Sequence, residues 1–110
     1  MRCHRVLISV FPLGSSEPPR VLSAIEQQWV KPAYKSIREH QGAWHVEAEM
    51  EAPLPPQDDE PAFVERISVA IWQRLGRYVK VVVDLTPDEA DEMQHRELSR
   101  SEYLRLMRTP

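Results

Sequence analysis

Cysteine, glycine and long hydrophobic runs are all scarce in this chain of 110 residues. Its one cysteine, Cys3, excludes an internal disulfide. Proteins without disulfides are typical of reducing compartments, so we expect a cytoplasmic location. No apolar run approaches the roughly 18 residues that span a bilayer, so no membrane association is expected. Only three glycines stand against ten prolines, which indicates stiff rather than flexible connections.

Basic residues are missing from one long stretch of the chain. Residues 41–65 hold seven acids and no Lys or Arg, whereas residues 1–40 hold six bases and three acids. The formal net charge of −3 therefore conceals an acidic band in an otherwise nearly balanced protein. A slightly acidic chain is not broadly attracted to nucleic acid. The band is either a partner-binding face or a solvated edge.

Residues 44–51 alternate strictly between apolar and polar side chains, which is the pattern of a half-buried β-strand. The apolar side, facing a core, would consist of Trp44, Val46, Ala48 and Met50. The polar side would consist of His45, Glu47, Glu49 and Glu51. The pattern thus predicts a strand whose wetter face carries three carboxylates in a row.

The remaining periodicities predict two further strands, over 6–11 and 78–85. Helices are expected from Pro18, with a break near Lys31 and a short continuation over 33–39, and then from an N-cap at Asp58 or Asp59 to a stop at Gly76. The capping signals at Thr86 and Ser99 predict two short C-terminal helices, at 87–96 and 100–108.

These elements predict an α/β (α+β) two-layer sandwich in the order β-α-β-α-β-α. Its small three-stranded sheet would carry helices mainly on one face, because two of the strands show one polar face each. The arrangement loosely resembles a ferredoxin-like architecture. We expect a single domain over 1–110, with a core at 4–86 and a C-terminal helical extension at 87–110.

The acidic strand supplies the candidate site residues. Paired carboxylates can share acid and base roles or hold a hard cation, but no second acidic strand completes such a site. Arg5 and Lys80 on neighbouring strands are placed to neutralise the row. No catalytic, cofactor-binding or metal-binding residue is predicted. The partner-binding candidates are His45, Glu47, Glu49, Glu51 and Lys80.

The C-terminal third carries a partial family resemblance. The segments VKVVVDLTPDE at 79–89 and LSRSEYLR at 98–105 resemble the strand, helix start and second helix of a ribbon-helix-helix DNA-binding unit. In that family the strand pairs with its copy in a dimer and reads the major groove. The resemblance implies base contacts from Lys80, Val82 and Asp84, and phosphate contact where the helix begins at Ser99–Ser101.

The charge pattern favours a small non-enzymatic interaction or regulatory module that binds a basic protein surface through its acidic strand face. The first alternative is a dimeric DNA-binding regulator built on residues 79–107. The second is a small enzyme that uses Glu47, Glu49 and His45, or Asp84. The expected partner is a protein with a basic surface or a second copy of the chain. Nucleic acid is disfavoured, and no cofactor is expected.

Overall fold

A computed structural model describes residues 3–88 and 92–108. The elements in chain order are β1 (Cys3–Leu13), α1 (Pro18–Gln28), β2 (Tyr34–His40), β3 (Ala43–Pro53), α2 (Glu60–Leu75), β4 (Lys80–Pro87), β5 (Gln94–Glu97) and α3 (Arg100–Met107). Within these ranges, no helix combines the length and apolarity needed to cross a membrane.

All five strands form one antiparallel sheet in the order β2-β3-β1-β4-β5. Strand β1 lies at the centre and pairs with β3 on one side and with β4 on the other. The six elements from β1 to β4 follow the order β-α-β-β-α-β, which is that of the split β-α-β motif. Strand β5 extends this unit, because the chain returns antiparallel to β4.

The prediction of a three-stranded sheet in the order β-α-β-α-β-α is wrong, although the structure is still α+β. Residues 34–40, expected to be helical, form β2 and pair with β3 along their whole length. The linking residues Gln41 and Gly42 have φ values of 52° and 81°, as in the type I′ turn of a two-residue hairpin. Lys, Arg and Glu favour helices locally, but the pairing of β2 with β3 overrides that preference.

The predicted helix over 87–96 is also wrong. Pro87 is the last residue of β4, and Gln94–Glu97 form β5. Residues 89–91 of that predicted helix lie outside the described residues. The second C-terminal helix is confirmed as α3. Its capping box joins the Ser99 hydroxyl to the Glu102 amide at 3.1 Å and the Glu102 carboxylate to the Ser99 amide at 2.9 Å.

The core lies between one face of the sheet and helices α1 and α2. Alternate residues of the three central strands are buried on this face: Val6, Ile8 and Val10 of β1, Val46, Ala48 and Met50 of β3, and Val81, Val83 and Leu85 of β4. Trp72 of α2 is fully buried above them, and its indole Nε1 donates a hydrogen bond to the Val79 carbonyl at 2.9 Å. The core therefore fixes which side chains of each strand face away from the helices.

Helix α2 begins and ends at the residues that its sequence predicts. The Asp59 carboxylate accepts a hydrogen bond from the Ala62 amide at 2.9 Å, and Pro61 occupies the first turn, where its missing N–H is not needed. Gly76 ends the helix at a φ of 75°, a left-handed conformation that glycine adopts without steric cost.

Helix α3 packs against α2 through an aromatic cluster. The ring of Tyr103 lies 5.1 Å from Trp72 and 5.5 Å from Tyr78, in edge-to-face geometry. Aromatic pairs in this geometry stabilise a fold beyond the contribution of the apolar area that they bury. The C-terminal helix is therefore held on the helical side of the molecule, and the opposite sheet face stays uncovered by α1, α2 and α3.

Glu17 and Arg77 tie the connection after β1 to the connection before β4. The Arg77 guanidinium donates to both carboxylate oxygens of Glu17, at 2.6 and 3.1 Å, and to the Pro12 carbonyl at 3.1 Å. The hydrogen bond from Arg77, joined by one from the Gly14 amide, holds the pKa of Glu17 below its usual value, although burial acts in the opposite direction. Because Arg77 is 45% exposed, this contact stabilises the fold only modestly.

We expect Glu17→Gln to lower the free energy of unfolding by about 0.5–1 kcal/mol at neutral pH. Folding lowers the pKa of Glu17, so its contribution is complete above the unfolded pKa and is lost as the pH falls through the folded pKa. Urea unfolding of the wild type and of Glu17→Gln at several pH values measures the difference between their free energies of unfolding. This difference is expected to become smaller as the pH falls into the acidic range. The exposed Glu65→Gln is the control. A difference that stays constant from neutral to acidic pH would contradict this account.

Candidate interaction surface on the open sheet face

The sheet face opposite α1 and α2, here called the open face, carries the side chains that alternate with the core residues. The strand register aligns them in cross-strand rows. One row runs through Tyr34, Glu49, Leu7, Asp84 and His95. The next runs through Ser36, Glu47, Ser9, Val82 and Glu97. The open face therefore mixes carboxylates with a central apolar strip on β1 and β4.

All five predicted partner-binding residues lie on the open face. His45, Glu47, Glu49 and Glu51 alternate with the buried residues of β3, and Lys80 alternates with those of β4. Strand β1 separates the two groups, so Lys80 lies about 10 Å from the acidic row, which is two strand spacings. The structure brings the five residues onto one face but does not gather them into a compact site.

Three cations partly neutralise this face. Arg38 of β2 hydrogen-bonds to Glu47, and Arg5 of β1 lies 3.9 Å from Glu51. The prediction that Arg5 contacts the row is confirmed, whereas Lys80 lies 3.9 Å from Glu97 of β5 instead. These pairs are largely exposed to solvent, so each contributes little to stability.

Glu49 is the acid that the neighbouring cations leave unbalanced. It is exposed, and no ion pair reaches it in the part of the chain that the structure describes. Its neighbours across the strands are Leu7 and Tyr34. Glu47 and Glu51 follow on the same strand face at about 6.5–7 Å. The middle of the acidic row is therefore a negatively charged position open to an incoming cation.

An aromatic and cationic cluster occupies the other end of the open face. The Phe11 ring lies 4.7 Å from the His45 ring, and the Lys80 ammonium lies 5.4 Å from the centre of the Phe11 ring. His45 Nε2 is buried and has no hydrogen-bond partner among the described residues. The stack fixes the orientation of His45 and Lys80, since both pack on one ring.

Asp84 and His95 form a close polar contact on the open face. The Asp84 Oδ1 and His95 Nδ1 atoms are 2.6 Å apart across β4 and β5. A carboxylate bonded to Nδ1 fixes the imidazole and leaves Nε2 for another partner. No hydrogen bond joins His95 to a hydroxyl, thiol or amine side chain within residues 3–88 and 92–108. The pair can act as a base or as a hydrogen-bonding group, but among the described residues no nucleophilic side chain is hydrogen-bonded to it.

Four further residues of this face were not among the predicted site residues: Tyr34, Arg38, His95 and Glu97. They lie on β2 and β5, the two strands that the sequence analysis did not identify. A signal for β2 does exist, because Gly42 suits the second position of a two-residue hairpin turn directly before the alternating segment of β3. Four-residue β5 has no comparable signal, since its sequence QHRE is polar throughout.

A second polar cluster lies at the start of α2, away from the open face. The His4 ring, 7% exposed, approaches Glu60 with its Nε2 at 3.0 Å, and Arg96 approaches the same carboxylate at 3.7 Å. A negative charge is favoured at a helix N-terminus. The nearby Asp58 binds Arg66, and Asp59 caps α2. These acids are all engaged, so we interpret the cluster as a structural joint between β1, β5 and α2.

Within the described ranges, no three His, Cys, Asp or Glu side chains lie close enough together to hold a metal ion. The two histidines that flank the hairpin turn, His40 and His45, are not directly opposite each other, because His40 pairs with Ala43 and His45 with Arg38.

Comparison with protein families, curated proteins and solved structures found no match. The function is therefore argued from the surface itself.

We expect Glu49→Gln to leave the free energy of unfolding unchanged or to raise it by up to about 0.5 kcal/mol, because it relieves repulsion within the row. Glu47→Gln loses its bond to Arg38 and is expected to lower stability by up to about 1 kcal/mol. Urea unfolding at low salt measures both. A loss above about 1 kcal/mol for Glu49→Gln would mean that the fold itself requires this carboxylate.

Proposed function

We propose that this chain is a small non-enzymatic interaction module whose open face binds a protein with a basic surface. The observation that carries the proposal is the exposed Glu49, which has no countercharge in the described structure and stands between two further carboxylates. Exposed charges that are not needed for folding are available for recognition. A lone cysteine and the lack of an internal disulfide support a cytoplasmic site of action.

The charge balance of the open face supports a basic partner. Its carboxylates are Glu47, Glu49, Glu51, Asp84 and Glu97, and its permanent cations are Arg5, Arg38 and Lys80. Five acids against three bases leave an excess of two negative charges. Arginine and lysine side chains of a partner can bind carboxylates in this row, with arginine binding in bidentate geometry. The association rate is then expected to fall with rising salt.

The apolar strip between the charges supports a protein rather than a small ion as the ligand. Leu7 and Phe11 of β1 are half-buried on the open face, and the adjoining Val82 of β4, which is 7% exposed, adds only a small apolar area. Interfaces combine an apolar centre with a polar rim. Here the strip on β1 and β4 supplies the centre, while β3 and β5 supply charged rims on either side.

Two features weigh against nucleic acid as the partner. Sheet faces that bind RNA present aromatic rings on which bases stack, but three consecutive outward positions of β3 are glutamates. The ribbon-helix-helix alternative also requires a strand free to pair with its copy. Strand β4 is paired with β1 on one side and with β5 on the other, and its following segment contains β5. In the residues that the structure describes, that alternative therefore lacks the free strand and the first helix that it depends on.

The enzyme alternative is supported by one observation, the 2.6 Å contact of Asp84 with His95. An imidazole oriented by a carboxylate is a competent general base. Catalysis also needs a nucleophile or an electrophilic group placed within reach of that base. The described contacts of His95 include neither, so we keep binding as the proposed function.

A fluorescent twelve-residue peptide rich in Lys and Arg serves as the probe of the open face. We expect Glu49→Lys/Glu51→Lys to weaken its binding at least about tenfold at low salt, since attraction becomes repulsion at two sites. The control is Glu26→Lys/Glu65→Lys, which makes the same change in net charge on exposed positions of α1 and α2. It is expected to weaken binding less than about threefold.

Fluorescence anisotropy measures the affinities, and circular dichroism checks that each variant is folded. Equal losses for both double variants would show that the peptide responds only to net charge, which would contradict a specific site. Unchanged binding in Glu49→Lys/Glu51→Lys would also contradict the proposal.

A further inference from the structure

Strand β2 is an edge strand that combines exposure with apolar character. It pairs only with β3 in the described sheet, and six of its seven residues are exposed. Its Tyr34 and Ile37 are 61% and 42% exposed and are two of the four large exposed hydrophobic residues that the structure describes. Unpaired edges are templates for another strand unless they are blocked. The question is which strand fits this edge.

The hairpin turn determines which backbone groups are available on β2. In a two-residue hairpin the flanking residues, His40 and Ala43, form a hydrogen-bonded pair, and hydrogen-bonded pairs then recur at every second residue. Residues 38, 36 and 34 therefore share their backbone bonds with β3. By the same alternation, Lys35, Ile37 and Glu39 direct their N–H and C=O groups to the free edge. A strand that docks here must bond to these three residues.

We infer that the strand fitting this edge is β2 of a second copy of the chain, paired antiparallel with Ile37 opposite its own counterpart. In this register Lys35 of each copy lies opposite Glu39 of the other, so two opposite-charge pairs flank the apolar pair. On the other face Tyr34 lies opposite His40, and Ser36 opposite Arg38. Directly opposed pairs of unlike charge and of apolar side chains stabilise antiparallel strands.

Other registers lose this complementarity. A shift of two residues places Ile37 opposite Lys35 or Glu39, so that charges face an apolar side chain and neither flanking charge pair remains. A shift of one residue brings groups already bonded to β3 to the new edge, and it also exchanges the faces of the side chains. The charges on Lys35 and Glu39 therefore select one register and disfavour its neighbours.

A groove of mixed polar and apolar lining lies beside β2, between α1 and the edge strand. It has a volume of about 680 Å³, and its apolar side chains are Pro19, Leu22 and Ile37, with Ser23, Glu26, Gln27 and Lys35 as the polar ones. The twofold axis of an antiparallel pair is perpendicular to the sheet, so both α1 helices lie on the same side. The two grooves then meet over the Ile37 pair, and the open faces of the two copies become continuous. The open face stays uncovered, so this inference does not depend on the proposed function.

Cysteine cross-linking in a Cys3→Ser background tests the register. Paired residues have Cα atoms about 5.5 Å apart, within the range that a disulfide spans. We expect Ile37→Cys to form a disulfide-linked dimer on mild oxidation. Lys35→Cys alone should not, because the two copies of residue 35 are about 13 Å apart along the strands. A mixture of Lys35→Cys with Glu39→Cys should give the mixed dimer. Equal self-linking of Lys35→Cys and Ile37→Cys would overturn the inference.

Charge exchange tests the same contact without cross-links. Sedimentation equilibrium is expected to show at least tenfold weaker dimerisation for Lys35→Glu and for Glu39→Lys, each of which opposes like charges twice. The double variant Lys35→Glu/Glu39→Lys is expected to restore the wild-type dissociation constant to within threefold. A wild-type chain that stays monomeric up to millimolar concentration, or a double variant that is as weak as either single variant, would overturn the inference.

Discussion

The pairing of β1 on both of its sides is the interaction on which the rest of the structure depends. Val6, Ile8 and Val10 of this strand are completely buried, and they meet the inner residues of β3 and β4 across the sheet. Alternation then places Leu7, Ser9 and Phe11 on the opposite face. The strand register passes this alternation on to β3 and β4. A slip of one residue between β1 and β3 would therefore place the glutamates of β3 opposite the buried residues of β1.

The alternation of β3 could be predicted because it is a local pattern with strong contrast between its two sides. The limits of α2 could be predicted for the same reason, since Asp59 and Gly76 act through bonds within a few residues. These local patterns were enough to place the acidic row on one face. The prediction could assign faces, but it could not say which cation would meet which acid.

The edge strands could not be predicted because their structure depends on a neighbour distant in sequence or on an unrecognised turn. Residues 34–40 contain Lys35, Arg38 and Glu39, which are good helix formers, and they become a strand because β3 satisfies their backbone groups. Strand β5 exists because β4 offers it an edge. The contacts of Arg38 with Glu47 and of Glu97 with Lys80 involve these two strands and were therefore missed.

The two proposed surfaces use different features of the same sheet. The open face offers side-chain charges around an apolar strip, whereas the β2 edge offers backbone groups in a register that its flanking charges select. Two copies joined at β2 would present two acidic rows on one continuous face. A partner with repeated basic segments would then bind both rows with a higher effective concentration than a single site provides.

Residue-resolved amide hydrogen exchange by NMR, on a dilute sample, tests this architecture most directly. The account predicts the slowest exchange at the amides of β1, whose N–H groups bond alternately to β3 and to β4. It also predicts alternating exchange along β2, slow at Ser36 and Arg38 and fast at Lys35, Ile37 and Glu39. Uniform protection over 34–40, as in a helix, or exchange in β1 as fast as at the sheet edge, would contradict it.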